Sequence, residues 1–204
     1  MRKRIIFLFA ALVFMFSTQA YASFVLLNNL DQTPMGWWNA GTTIGQAFTT
    51  GQVVTIDAAT FRYDYGSYNP TSGAYLTVQN AASDGKIGSN ILATWNTFSV
   101  NATERLVTYT GTSALAANTT YWLVIHDSIE GYARVSSTST YTANLGASLP
   151  SLYNNYESMG GGAYWSLTDG PLMFQVSAVP IPAAGWLLGS GLIGLVAVRR
   201  RMKK

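Results

Sequence analysis

Thr120-Tyr121-Trp122-Leu123-Val124-Ile125-His126 decides the fold. Its aromatic and branched residues, Tyr121 to Ile125, run without a polar break. The run is too short for an ordinary helix, and the turn-forming stretch Ala116–Thr119 precedes it. A strand apolar at every position has both faces covered, so this is the centre of a sheet. Leu172–Ser177 complements it. There Leu172, Phe174 and Val176 alternate with Met173, Gln175 and Ser177, which predicts one inward and one outward face.

Outward from these two, short runs rich in Val, Ile, Thr, Tyr and Phe recur between turn residues. Strands are expected at Phe24–Leu30, Ile44–Thr49, Val53–Tyr65, Ala74–Gln79, Ile91–Trp95, Arg105–Thr110 and Tyr132–Ser136, with a further short one at Ala163–Ser166. Loops are expected at Gly66–Gly73, Asn80–Asn90, Ala116–Thr119 and Gly160–Gly162. No stretch before Ala183 reads as an amphipathic helix. The expected fold is all-β, a two-layer β-sandwich or jelly roll, flanked by an N-terminal signal helix and a C-terminal transmembrane helix.

The two ends carry addresses. Residues 1–22 read as a secretory signal peptide: Arg2, Lys3 and Arg4 form a basic start, Ile5 to Phe16 an apolar stretch, and Ala20-Tyr21-Ala22 a small-x-small cleavage site. Cleavage after Ala22 leaves Ser23 first. An uncleaved anchor is the alternative, but the apolar stretch is short for a span. At the other end Val179-Pro180-Ile181-Pro182-Ala183 opens an apolar run to Val198, followed by Arg199, Arg200, Arg201, Lys203 and Lys204. At about 1.5 Å per residue, Ala183–Val198 reaches roughly 24 Å against a hydrocarbon core of about 30 Å, a minimal membrane span. The basic end holds that side in the cytoplasm.

Charge must be read by segment. The three leader cations and the five at the tail account for most of the 12 Lys and Arg. Arg62, Lys86, Arg105 and Arg134 remain against 9 acids, so residues 23–178 carry −5 although the whole chain is +3. A domain this acidic, with no basic patch, is a poor nucleic acid binder. Cys is absent, which excludes disulfides, thiol chemistry and lipoprotein anchoring; the exported body, one domain by its size, must be held by packing alone.

Catalytic signals are few. His126 is the sole histidine, so His-rich zinc sites are excluded and any Ser-His-Asp triad would have to use it. Asp127 follows it directly and would point to the opposite face of a strand, so His126 reads as a sheet residue. No Gly-x-Ser-x-Gly elbow and no phosphate-binding glycine loop is present. Asp57, Asp64, Asp84, Glu104, Asp127, Glu130, Glu157 and Asp169 could supply the carboxylate pair of a glycoside hydrolase, but sequence gives no separation between them. Calcium could be held at Asp84 or around Asp127–Glu130; without an alternating acid ladder, Asp84-Gly85 reads better as a turn. Asn101-Ala-Thr103 and Asn118-Thr-Thr120 match the N-glycosylation triplet and are ascribed to chance. No cofactor, metal or catalytic residue is assigned.

Aromatics hold the open question. Trp37 and Trp38 stand in a polar, glycine-rich loop, Tyr63, Tyr65 and Tyr68 lead into another, and Tyr153, Tyr156, Tyr164 and Trp165 flank the glycine run. Most such residues fill a core; those left exposed, Trp37 and Trp38 first, could stack on sugar rings.

Two resemblances add to this reading. The proline motif Val179–Ala183, the following Gly185-Trp186-Leu187-Leu188-Gly189-Ser190-Gly191-Leu192 and the basic end together resemble the PEP-CTERM sorting signal in its VPLPA variant, with Ile181 where leucine is usual. That resemblance implies cleavage near the motif by exosortase, a membrane-embedded cysteine transpeptidase-like enzyme, in a Gram-negative, exopolysaccharide-producing cell. Asn28-Asn29-Leu30, Gly45-Gln46-Ala47-Phe48-Thr49, Ser83–Gly88 with Ile91–Thr94, and Leu115–Val124 are similar to exported choice-of-anchor domains, the R type being nearest. The second resemblance implies a fold and a surface destination but no activity.

The expected organisation is therefore a signal peptide (1–22), a β-sandwich domain (23–178) and a sorting signal (179–204). The expected function is that of a non-enzymatic envelope or extracellular-matrix protein, anchored in the inner membrane as a precursor and then carried to the periplasm, surface or exterior. Its partners would be the secretion machinery and leader peptidase, an exosortase-like peptidase, the membrane through its C-terminal helix, and exopolysaccharide. A carbohydrate-binding module is the main alternative and a glycoside hydrolase a distant one.

Overall fold

Successive side chains of a strand point to opposite faces, and the strand at Thr120–His126 uses both. Tyr121, Leu123 and Ile125 enter the main core, while Trp122 and Val124 join Ala47 in a second cluster on the other side. The computed structural model describes residues 22–40, 43–64, 73–126, 131–136, 140–150, 156–158 and 170–179. Ser23–Val179 forms one compact unit of the backbone. Ala20, Pro180–Lys204 with the expected membrane helix, and Ala163–Ser166 lie outside the described residues.

In chain order the strands are β1 (Phe24–Asn28), β2 (Pro34–Ala40), β3 (Thr43–Thr49), β4 (Val54–Asp64), β5 (Tyr75–Ala81), β6 (Ile87–Trp95), β7 (Thr97–Asn101), β8 (Leu106–Leu115), β9 (Thr120–His126), β10 (Gly131–Ser136), β11 (Thr142–Ala143), β12 (Tyr156–Ser158) and β13 (Phe174–Val179). They form two antiparallel sheets, and no helix occurs among the described residues. The eight-stranded sheet runs β11-β1-β13-β4-β10-β2, with β8 also beside β4 and β7 beside β8; the five-stranded sheet runs β12-β3-β9-β5-β6. The all-β, sandwich-like character expected from the sequence is what the chain adopts.

One core draws on both sheets. Leu27, Ile56, Phe61, Tyr109, Phe174 and Val176 come from the larger, and Ile44, Phe48, Leu76, Val78, Leu123 and Ile125 from the smaller. Phe61 stacks on Phe174 with centroids 6.1 Å apart and meets the edge of Tyr109 at 6.4 Å. These aromatics supply burial that a chain without cysteine cannot replace by cross-linking.

β13 lies inside the larger sheet, between β1 and β4. Its entry is held by two buried amides. Asn29 Nδ2 donates to the Leu172 carbonyl at 2.8 Å, and the Phe174 amide donates to Asn29 Oδ1 at 2.7 Å. Gln46 Oε1 accepts from the Leu172 amide at 2.8 Å. The irregular backbone before β13 thus has its polar groups satisfied where no ladder reaches them. The inward side of the expected alternation, Leu172, Phe174 and Val176, is buried; Met173, expected outward, is buried as well.

Several expected boundaries are corrected. Trp37 and Trp38 lie in β2, not in a loop: Trp37 pairs with Arg134 and Trp38 with Ala133 of β10. The expected loop Asn80–Asn90 shrinks to 82–86, because β5 continues to Ala81 and β6 starts at Ile87. β8 runs past Thr110 to Leu115, and β7, β11 and β12 were not anticipated.

Candidate functional site

His126 is the last residue of β9 and falls on the same face as Trp122 and Val124. Register with β5 sets Tyr75 directly opposite, and the two rings stack with centroids 4.5 Å apart and planes 10° from parallel. Thr77 and Gln79 follow Tyr75 at alternate positions on the same face. Thr77 Oγ1 lies 3.0 Å from His126 Nε2, and Gln79 Nε2 donates to Thr77 Oγ1 at 2.7 Å. With one lone pair so occupied, the Thr77 hydroxyl proton has two acceptors, His126 Nε2 and the more distant Val124 carbonyl at 3.5 Å. The ring tautomer sets which of the two atoms donates in the Thr77–His126 bond.

Burial pushes the His126 imidazole below its ordinary 6.5, so the neutral ring is the resting form. Thr77 and Gln79 are buried, whereas Tyr75 remains 36% exposed, so the aromatic stack reaches the surface. A flat apolar pair backed by a hydroxyl–amide chain suits stacking against a sugar ring. Among the described residues no carboxylate bonds the imidazole, and its Nε2 is taken by Thr77.

No known protein family, curated protein or solved structure matches this chain. The residues themselves must therefore carry the functional reading.

Of the carboxylates weighed for glycoside hydrolysis, Asp57, Asp84 and Glu104 are described with their side chains, and each has a local partner. Asp57 accepts from the Ser23 hydroxyl at 3.0 Å in β4. Glu104 Oε2 accepts from Asn101 Nδ2 at 2.8 Å, while Asn101 Oδ1 accepts from the Glu104 amide at 3.2 Å. Asp84 accepts from the Lys86 amide at 3.1 Å and pairs with its ammonium at 3.1 Å; the amide bond, then the side-chain bond, holds the carboxyl below its usual value. With Gly85 at φ 82, this is the turn chemistry expected of Asp84-Gly85. The side chains of Asp64 and Glu157 and all of Asp127, Glu130 and Asp169 lie outside the described residues, and no metal-binding cluster of three ligands occurs among those described.

Asn101 shapes the β7–β8 turn through its bonds to Glu104, and Asn118 sits at φ 50 in the β8–β9 turn, so both triplet asparagines have backbone roles. Tyr63 is buried in the main core. For Trp37 and Trp38 the backbone register alone is described. Of the address residues, Ala22 is exposed just before β1, and Val179 ends β13 opposite Thr55. Tyr75, Thr77 and Gln79 were not singled out in the sequence. Their one signal was the spacing of three alternate positions in an expected strand, and its meaning depends on which strand lies beside it.

Proposed function

We propose that this is an exported, non-enzymatic envelope or extracellular-matrix protein whose two-layer β-sandwich body is delivered and processed through a PEP-CTERM-like tail. The observation that carries the reading is where the strands of the body begin and end. β1 starts at Phe24, just after the expected leader site at Ala22, and β13 ends at Val179, the first residue of the proline motif. Phe24 also pairs with Ala178, so both ends of the body lie side by side. Removing the leader and the tail at those points takes no residue from any strand of the body.

The test is the intact mass of the protein recovered from cells with and without the sorting peptidase. A species running from Ser23 to near Val179, seen only when the peptidase is present, is expected. Full retention of the tail in both strains would make the chain an ordinary single-pass anchor and refute the sorting assignment.

A carbohydrate-binding role is the second reading, favoured by the surface stack of Tyr75 on His126. Glycan-array binding lost in Tyr75→Ala, or in the Trp37→Ala, Trp38→Ala double variant, would establish it. Absence of any glycan signal leaves the structural role alone.

A further inference from the structure

A strand at the margin of a sheet leaves one row of backbone donors and acceptors unpaired, and soluble proteins blunt such margins with proline, charge, short length or bulges. Among the described residues five strands stand at a margin: β2, β7 and β11 of the larger sheet, β6 and β12 of the smaller. Four of them carry a device of that kind. β2 opens with Pro34 and shifts register against β10, and β6 shifts register twice against β5. β11 has two residues, and β12 has three, one of them Glu157. β7 has none of these. Its five residues, Thr97 to Asn101, keep one unbroken register with β8, from Thr97 opposite Thr110 to Asn101 opposite Leu106. All of them but Phe98 are exposed. The chain from Ile87 to Thr103 contains neither charge nor proline, although the body carries a net −5.

The two faces of β7 differ. Phe98 turns inward onto Tyr109, with centroids 5.8 Å apart, and Val100 shares that face yet stays 41% exposed. Thr97, Ser99 and Asn101 alternate with them on the outer face. A two-fold axis normal to the sheet and passing through Ser99 lays β7 antiparallel beside its own copy, with all five residues overlapping. On the inner face each Val100 then meets the other copy's Phe98. On the outer face Thr97 meets the other copy's Asn101, and Ser99 meets Ser99. Each exposed valine gains an aromatic neighbour, the open backbone row is paired, and no charge faces its like. Elsewhere two copies of so acidic a body repel each other. We infer that β7 pairs antiparallel with the β7 of a second copy of this chain, centred on Ser99. Pairing between copies does not depend on export or processing, so either can fail alone.

The chain has no cysteine, so an introduced thiol stands alone. Opposite Cα atoms of an antiparallel pair lie about 4.5–5.5 Å apart, within the roughly 4.4–6.8 Å that a disulfide spans. Thr97 and its own copy would be four residues out of step, roughly 14 Å apart, beyond that reach. The test uses the full chain in detergent under a mild oxidant, read on a non-reducing gel. Ser99→Cys should give a disulfide-linked dimer. Thr97→Cys and Asn101→Cys should each give none, and the Thr97→Cys, Asn101→Cys double variant should restore it. Val100→Lys added to Ser99→Cys should abolish the dimer and keep the near-ultraviolet circular dichroism, since position 100 is exposed in the single chain. The cysteine series alone decides the register if the lysine variant does not fold. Equal linkage at all three single positions, as association through the tail or random collision would give, would overturn the assignment. So would no linkage in a folded Ser99→Cys protein, or linkage that survives Val100→Lys.

Discussion

His126 shows how one side chain links burial to pH. In the folded chain its ring is half-buried, stacked on Tyr75, and bonded through Nε2 to Thr77. Desolvation lowers its pKa, so the folded state resists a proton that the unfolded state accepts. The sign follows from linkage: below the unfolded value of about 6.5 the unfolded chain binds more protons, and stability drops as pH falls toward the lower folded pKa. In the protonated ring Nε2 is a donor, and the Thr77 hydroxyl then has the Val124 carbonyl, 3.5 Å away, as its acceptor. Urea midpoints measured between pH 7.5 and 5.5 should decline for the native chain and decline less for His126→Gln, which cannot titrate. Parallel pH profiles would show that the ring contributes nothing. Sequence made His126 legible as the sole histidine, but its neighbours belong to β5, about fifty residues earlier in the chain. No local pattern could pair them.

At the level of strands, legibility followed the strength of local contrast. β9 was plain because five apolar residues stand together, and Ala116–Thr119 was plain because Asn118 takes a positive φ. β2 was hidden by Pro34, Gly36 and Asn39, which read as turn formers; pairing with the distant β10 overrides them. The expected strand stopped at Thr110, just before Gly111. A Cβ there would overlap the buried indole of Trp95, so glycine lets the strand pass beneath that ring and run on to Leu115. Trp122 explains the short turn 82–86: its Nε1 donates to the Gly85 carbonyl at 3.1 Å, which draws the β5–β6 connection toward the second apolar cluster of Trp122, Val124 and Ala47. Asn29 acts at the same scale, because its side chain fixes where β13 begins. In Asn29→Ala the Leu172 carbonyl and the Phe174 amide lose their side-chain partner in a buried setting, at about 1–3 kcal/mol for each group left unsatisfied. We expect a loss of roughly 2–4 kcal/mol, large against a typical domain stability of about 5–15 kcal/mol. A urea midpoint shifted down with an unchanged slope would show it; a midpoint within error of the native chain would mean that solvent replaces the clamp.

The molecule as a whole is closed by its last strand. β13 pairs with β1 on one side and β4 on the other, so the larger sheet stays incomplete until the chain through Val179 is available. Phe24 pairing with Ala178 joins the two ends of the body and is the strand pairing of greatest sequence separation among the described residues. Sheets built on such pairings fold in about milliseconds to seconds, because loop closure is paid for before the contacts form. Without β13, the buried Phe174, Val176 and Ala178 are lost from the core, and β1 and β4 are left with facing unpaired edges. A chain ending at Val179 should therefore keep a cooperative thermal transition and near-ultraviolet circular dichroism, and one ending at Met173 should have neither. Should the shorter chain unfold cooperatively at the same temperature, β13 is an accessory and not the closing strand. The same geometry bounds any processing that leaves a folded product: a cut at or beyond Val179 spares the sheet, while a cut six residues earlier removes one of its interior strands.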